Sequence, residues 1–223
     1  MQIIAEAGIN HGGKYIMATD MVTAAHKAGA DIVKFQTFKG MDELPYPNIT
    51  YADTSFLVKR CIAIGIEFMS TPHSYSAIDF LEPLVDTYKI ASPRLFDKKF
   101  LEAVAEKKKP VIISVSDNAS NYDVENAIKW LDGCEITFMH TVCQYPAQYP
   151  YLFMLDMRKQ LFPDYKWGYS DHTTGIQNCI YAVKFHGAEL IEKHFMIEKG
   201  CVDEPVSVMP DELEELCATV KNA

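Results

Sequence analysis

Long apolar runs are missing from this 223-residue chain. No stretch approaches the ~20 consecutive apolar residues needed to cross a bilayer. The opening MQIIAEAGIN has neither a basic n-region nor an apolar h-region, so no secretory leader is expected and a cytoplasmic location is. Positive charge is also scarce. Lys and Arg number 21 against 30 Asp and Glu, a formal net charge of −9. That deficit argues against a nucleic-acid partner or an anionic membrane surface, both of which need an excess of Lys and Arg. It does not exclude a small anion, which a few converging lysines can hold. The six cysteines (Cys61, Cys134, Cys143, Cys179, Cys201, Cys217) include no CxxC pair, which removes the zinc knuckle and the dithiol redox motif. They read as reduced thiols, mostly in the core. No low-complexity linker or break in composition divides the chain, so a single domain over residues 1–223 is expected.

What is present is regular alternation. Hydrophobic residues make up 48% of the chain, enough for a sizeable core. Short apolar segments at 2–8, 31–38, 66–72, 87–92, 110–115, 135–141, 166–171 and 189–195 read as strands. Helical spacing fills the intervals, at 15–30, 51–65, 76–85, 98–107, 121–133, 151–162, 177–187 and 210–222. Gly13, Gly29, Gly65, Gly133 and Gly187 fall near helix ends, where a left-handed residue is wanted. Ser74, Asn121 and Pro210 occupy cap or first-turn positions. Eight strand–helix units predict a compact (β/α)8 barrel, the TIM-barrel arrangement of the α/β class. A doubly wound open sheet also alternates, but usually with fewer strands. The stretch GMDELPYPNIT, 40–50, is irregular and proline-rich, and is expected to form a loop at the barrel mouth.

In such a barrel the C-terminal strand ends face the active site. Those ends carry Glu6 and Asn10, Lys34 and Gln36, Ser70 and Thr71, Lys89 and Ser92, His140, Ser170, Asp171 and His172, and Glu192 and His194. Lys34, Lys89 and Glu192 stand inside otherwise apolar strands, where a charge is costly unless paired or liganded. Lys34 follows Ile32 by two and shares its face. A structural ion pair would account for either lysine alone; several such charges at one barrel end favour a site. Two lysines with the hydroxyls of Thr71, Ser92 and Ser170 suit a phosphate or carboxylate. His172 and His194 end adjacent strands, seven and eight. Two imidazoles with a carboxylate and open positions suit a divalent transition ion such as manganese, and the pattern alone leaves that reading level with two structural histidines. His11, His26, His73 and His186 are assigned no metal.

The stretches IIAEAGINHGG, AGADIVKFQTFK, GIEFMSTP, YKIAS, KPVIIS, YP, GYSDHTTGI, GAELIEKHF and SVMPDEL run in order along the whole chain. In them the sequence resembles the sialic acid synthase (N-acetylneuraminate synthase) family. The resemblance implies a transferase that condenses phosphoenolpyruvate with an amino-sugar aldehyde, N-acetylmannosamine or a related sugar, giving a nonulosonic 2-keto acid and phosphate. It implies a divalent metal, Mn2+ with Mg2+ or Co2+ as alternatives, on His172 and His194. By position it places phosphoenolpyruvate on Lys34, Thr71, Lys89, Ser92 and Ser170, and the sugar on Gln36, Tyr145 and Asp203. Glu6 becomes the acidic group beside the reacting carbons, acting with Lys34 and Lys89.

Departures from the family pattern lie mostly on the sugar side. The second, antifreeze-like domain that family members carry after the barrel has no counterpart in these residues; a separate chain supplying it and a homodimer are both compatible with the resemblance. The loop after strand two is short. Arg94 stands where an acidic residue is usual and would add positive charge to the anion cradle. SVSDNAS, 114–120, replaces a glycine-bearing turn but keeps Ser114 and Ser116 as hydrogen-bonding groups. Cys143 replaces Asn or Ser, and the usual Asp-His near the end reads Asp203-Glu204. Two other readings therefore remain: a different aldolase or lyase on the same barrel with Arg94 serving a new anion, or a ligand-binding subunit without full activity.

Overall fold

The computed structural model describes residues 1–38 and 48–222. Most of the predicted mouth loop, 40–47, lies outside the described residues. Eight strands alternate with eight helices: β1 Gln2–Gly8, α1 Tyr15–Lys27, β2 Ile32–Thr37, α2 Tyr51–Ile64, β3 Glu67–Pro72, α3 Tyr75–Leu81, β4 Tyr88–Ile90, α4 Lys98–Ala105, β5 Val111–Ser116, α5 Asn121–Trp130, β6 Ile136–Thr141, α6 Phe153–Leu161, β7 Lys166–Asp171, α7 Gln177–His186, β8 Leu190–His194 and α8 Pro210–Lys221. The strands are parallel and ordered β3-β2-β1-β8-β7-β6-β5-β4, with β3 and β4 side by side at the seam. This is the single barrel that the alternation predicts.

Two elements stop short of their apolar patterns at a proline. The pattern 76–85 contains Pro83, whose missing N–H ends α3 at Leu81, with Glu82 still helical as its cap. The strand expected over 87–92 stops at Ile90 because Ser92–Phe96, with Pro93 in its first turn, winds into a 3-10 helix. Caps follow local chemistry. Thr50 accepts from the Asp53 amide and Ser74 from the Ala77 amide. Asn121 proves to be the first helical residue, and its neighbour Ser120 caps α5 in a reciprocal box with Asp123.

Strand alternation sorts the side chains into two cores. Outward residues such as Ile3, Val33, Phe68, Ile113, Phe138, Trp167 and Ile191 pack between barrel and helices. Inward residues Ile4, Ile32, Met69, Ile112, Met139 and Leu190 form a separate plug that fills the lower barrel. Gly168 belongs to this inner face for want of room, since a Cβ there would stand 2.5 Å from the Leu190 carbonyl oxygen.

The same alternation corrects the reading of three strand-end residues. Ser70, His140 and Asp171 face the helices, not the mouth. Ser70 Oγ lies 2.7 Å from Thr37 Oγ1. His140 Nδ1 accepts from Arg158 at 2.9 Å, and its Nε2 donates to the Pro150 carbonyl at 2.9 Å. Asp171 pairs with Lys193 at 2.9 Å, both side chains fully buried. Asp171 also accepts from the Tyr169 and Thr173 hydroxyls and the Thr173 amide, each at 2.8 Å. Removing one partner of such a pair strands the other charge. Lys193→Met is therefore expected to destabilise the barrel by about 3–5 kcal/mol, read as a lower denaturant midpoint; a midpoint within error of the parent would show that the pair carries no structural weight.

Candidate active site

Above the apolar plug the inner face turns polar. Two residues further along each strand stand Glu6 over Ile4, Lys34 over Ile32, Thr71 over Met69, Ser114 over Ile112, Thr141 over Met139, Ser170 over Gly168 and Glu192 over Leu190, with Lys89 entering from β4. One step higher lie Gln36, His73, His172 and His194. All line a single cavity of about 310 Å³, shared with Ala91, Ser92, Pro93, Cys143 and Tyr145.

Four buried charges organise its floor. Lys34 Nζ lies 2.8 Å from Glu6 and 3.5 Å from Glu192, and Lys89 Nζ lies 3.4 Å from Glu192. Thr71 accepts from Lys34 at 3.3 Å and Ser114 from Lys89 at 2.8 Å. Ser170 donates to Glu192 at 2.9 Å, and Gln36 donates to Glu6 at 3.1 Å. The environment drives the two carboxyls apart. Burial alone would raise Glu192, but Lys34, Lys89 and the Ser170 hydroxyl outweigh it and hold its pKa at about 2. Glu6 goes the other way: burial raises it, Lys34 opposes, and the negative charge of Glu192 adds to the rise. Burial, with Lys34 close by, lowers Lys89 despite Glu192. Glu6 Oε2 and Glu192 Oε2 are buried without a hydrogen-bond partner, although both face lysines. Each carboxyl thus keeps one buried oxygen that meets lysine charge without a hydrogen bond.

The two imidazoles meet above it. Ring centroids of His172 and His194 are 5.4 Å apart. His172 Nδ1 donates to the Val142 carbonyl at 2.6 Å, so its Nε2 carries the lone pair, which accepts from the Tyr145 hydroxyl at 2.8 Å. Burial, reinforced by His194, pushes the His172 pKa down to about 4, which keeps the ring neutral. His194 Nδ1 is buried and faces Asp203 Oδ2 at 3.4 Å. Among the described residues no three His, Cys, Asp or Glu side chains cluster as a complete metal set.

Of the residues read from the sequence, Glu6, Lys34, Gln36, Thr71, Lys89, Ser92, Tyr145, Ser170, His172 and His194 come together on this cavity. Asp203 is not among the residues lining it; its Oδ2 lies 3.4 Å from His194 Nδ1 and beside Gly8, close to Glu6 and Gln36. Arg94, expected to strengthen the anion cradle, turns away. It pairs with Asp97 at 2.7 Å, donates to the His73 carbonyl at 2.8 Å and lies over the Phe100 ring. Ser114, Thr141, Glu192 and His73 complete the lining and were absent from the assigned substrate and metal sets. The signal for Ser114 and Thr141 was available: each follows an inward apolar residue by two, as Lys34 does.

An eight-stranded parallel barrel with buried lysines, carboxylates and imidazoles at its C-terminal rim defines a small-molecule enzyme site. Comparison with known proteins makes the class specific. The sequence profile of the NeuB family matches residues 47–223. An uncharacterized protein of Methanocaldococcus jannaschii is 33% identical over 98% of this chain and 69% of its own length. The N,N'-diacetyllegionaminic acid synthase of Campylobacter jejuni is 33% identical over 98% of this chain and 75% of its own. The crystal structure of N-acetylneuraminic acid (sialic acid) synthetase from Leptospira borgpetersenii superposes with a TM-score of 0.92 at 30% identity, covering 99% of this chain and 82% of that one. The chain belongs to the NeuB family, among the sialic-acid-type synthases, and spans roughly seven-tenths of the length of the curated relatives just given.

His11, His140 and His172 are buried, and burial takes each pKa from 6.5 to about 4. The unfolded chain takes up these protons near pH 6.5 and the folded one only near pH 4. Stability should therefore fall as pH drops from about 6.5 towards 4, by up to about 1.4 kcal/mol per pH unit for each ring. His73, also lowered to about 4 by burial, adds to the fall, and the raised Glu6, which binds its proton first in the folded state, opposes it. Urea unfolding at pH 7.5, 6.5, 5.5 and 4.5 measures this, and a flat profile would mean that the rings are not shielded.

Proposed function

We propose that the chain condenses phosphoenolpyruvate with an amino-sugar aldehyde, N-acetylmannosamine or a related sugar, to give a nonulosonic 2-keto acid and phosphate. The observation that carries this reading is the convergence of two buried lysines, a split pair of carboxyls and two imidazoles on one cavity of substrate size. Family membership supplies the class of chemistry.

Lys34 and Lys89 are the cations for the phosphate and carboxylate of phosphoenolpyruvate, with Thr71, Ser92, Ser114 and Ser170 as directional partners. Arrival of the anion relieves the partial pairing of the lysines, which is why their carboxylate contacts need not be ideal. The C2=C3 π pair of the enol makes the new C–C bond to the aldehyde carbon, the C=O π pair moves onto the aldehyde oxygen, which takes a proton, and cationic character develops at C2. Water adds there and loses a proton. The tetrahedral adduct then breaks its C–O bond to phosphate, whose charge the lysines hold. Glu6, with its raised pKa, is suited to carry the proton or to sit neutral beside the cationic carbon, while Glu192 stays ionised between the lysines.

A divalent ion fits the imidazole pair. Support comes from His172, whose Nδ1–H is tied to a backbone carbonyl, the arrangement that leaves the Nε2 lone pair for a metal; its ring centroid lies 5.4 Å from that of His194, and these two residues would hold the ion. When bound, the ion would supply Lewis-acid polarisation of the aldehyde oxygen. Tyr145 must then release Nε2, and its freed hydroxyl is available to the sugar together with Gln36. The lyase alternative loses its motive, because Arg94 is engaged by Asp97 and the His73 carbonyl.

The test is phosphate release from Mn2+, phosphoenolpyruvate and a panel of N-acetylated amino sugars. Release that depends on one sugar supports the synthase; tight binding of phosphoenolpyruvate and metal with no release from any sugar overturns it. His194→Ala should lower Mn2+ affinity by about 10–100-fold or more in titration calorimetry. Lys89→Ala should weaken phosphoenolpyruvate binding and leave Mn2+ binding intact; if both variants bind both ligands normally, the assignments are wrong.

A further inference from the structure

Asn10 is buried in the loop after β1, and its amide is fully employed. Nδ2 donates to the Phe195 carbonyl and to Ser207 Oγ, each at 3.0 Å. Oδ1 accepts from the Asp203 amide at 2.9 Å. Ser207 Oγ in turn donates to the Asp203 carbonyl at 2.7 Å. One side chain therefore grips both legs of the 195–207 loop, at the residue following His194 and at Asp203. The loop base is closed by the Val208 amide on the His194 carbonyl at 2.9 Å and the Phe195 amide on the Glu6 carbonyl at 2.8 Å. The Asn10 bonds lie beyond the β1–β8 ladder, which pairs Gln2 to Glu6 with Leu190 to His194. Asp203, so placed, sets its Oδ2 3.4 Å from His194 Nδ1, a buried nitrogen without a hydrogen-bond partner, and is the nearest acid to it.

We propose that Asn10 is a positioning residue: by fixing the main chain of Asp203 it sets that carboxylate against His194 Nδ1, keeps the proton on Nδ1, and leaves Nε2 as the unprotonated nitrogen for the cavity. His172 reaches the same tautomer through the Val142 carbonyl. The two rings then present matching nitrogens, one fixed by a backbone carbonyl and the other by a carboxylate that a loop must hold in place. A carboxylate partner raises the basicity of its ring as well as orienting it. The consequence for metal binding rests on the reading given under Proposed function; the tautomer does not.

Nitrogen-15 NMR of the histidines in the metal-free protein reads the tautomer directly, and Mn2+ titration reads its consequence. In the parent, His194 should be the Nδ1–H form. Asn10→Ala should give a mixed tautomer and lower Mn2+ affinity by about 10–100-fold. Asp203→Asn should do the same, and adding Asn10→Ala to it should cost little more. Should Asn10→Ala fail to fold, Ser207→Ala removes one of the same bonds and should shift both readouts in the same direction by a smaller factor. A parent without Mn2+ affinity but with the Nδ1–H tautomer, lost in Asn10→Ala, would sink the metal reading and keep the clamp. Variants that melt lower yet keep the parent tautomer and affinity would make Asn10 a merely structural residue and overturn the proposal.

Discussion

The site depends on a carboxylate, Glu192, held ionised between two lysines in the middle of a barrel. Three of its neighbours in space, Lys34, Lys89 and Ser170, come from three different strands. An isolated charge at this depth would cost several kcal/mol, so none of the four charges is tolerable without the others. Their mutual need makes the upper barrel a single electrostatic unit. The apolar plug beneath supports it by excluding water from below, which strengthens every interaction above.

This arrangement explains how two chemically identical carboxyls can serve different ends. Glu192 has two lysines and a hydroxyl donor; Glu6 has one lysine, an amide donor and the repulsion of Glu192. Their pKa values separate without any difference in exposure. The distinction between a permanent counter-ion and a group able to carry a proton is thus set by which strands stand next to each other.

Much of this was legible in the sequence. Lysines inside apolar strands, Lys34 two positions past an inward isoleucine and Lys89 in the strand expected over 87–92, announced the charged layer, and histidines closing strands seven and eight announced the pair above it. Misplacements arose where strand ends were read as a block. Asp171 and His140 differ from Ser170 and Thr141 by one residue, and one residue in a strand reverses the face. Arg94 was misjudged because its fate rests on Asp97, Phe100 and the His73 carbonyl, contacts set by the 3-10 turn around Pro93. The position of Asp203 beside His194 was invisible for another reason: it follows from Asn10, some 190 residues away along the chain, and no local pattern reports such a pairing.

Arg158 illustrates what a buried cation does when its hydrogen bonds go to neutral groups. Its guanidinium is satisfied by the carbonyls of Val115, Ser116 and Ala119 and by a neutral imidazole. Neutral dipoles satisfy its hydrogen bonds without cancelling its field. It sits beneath the β5 and β6 rim, next to residues adjoining Ser114 and Thr141. A molecule of net charge −9 thus encloses one positive charge behind β5 and β6, with Asp117 as the acid that acts on it, and the strands carrying Ser114 and Thr141 are tied to α6 through that single guanidinium.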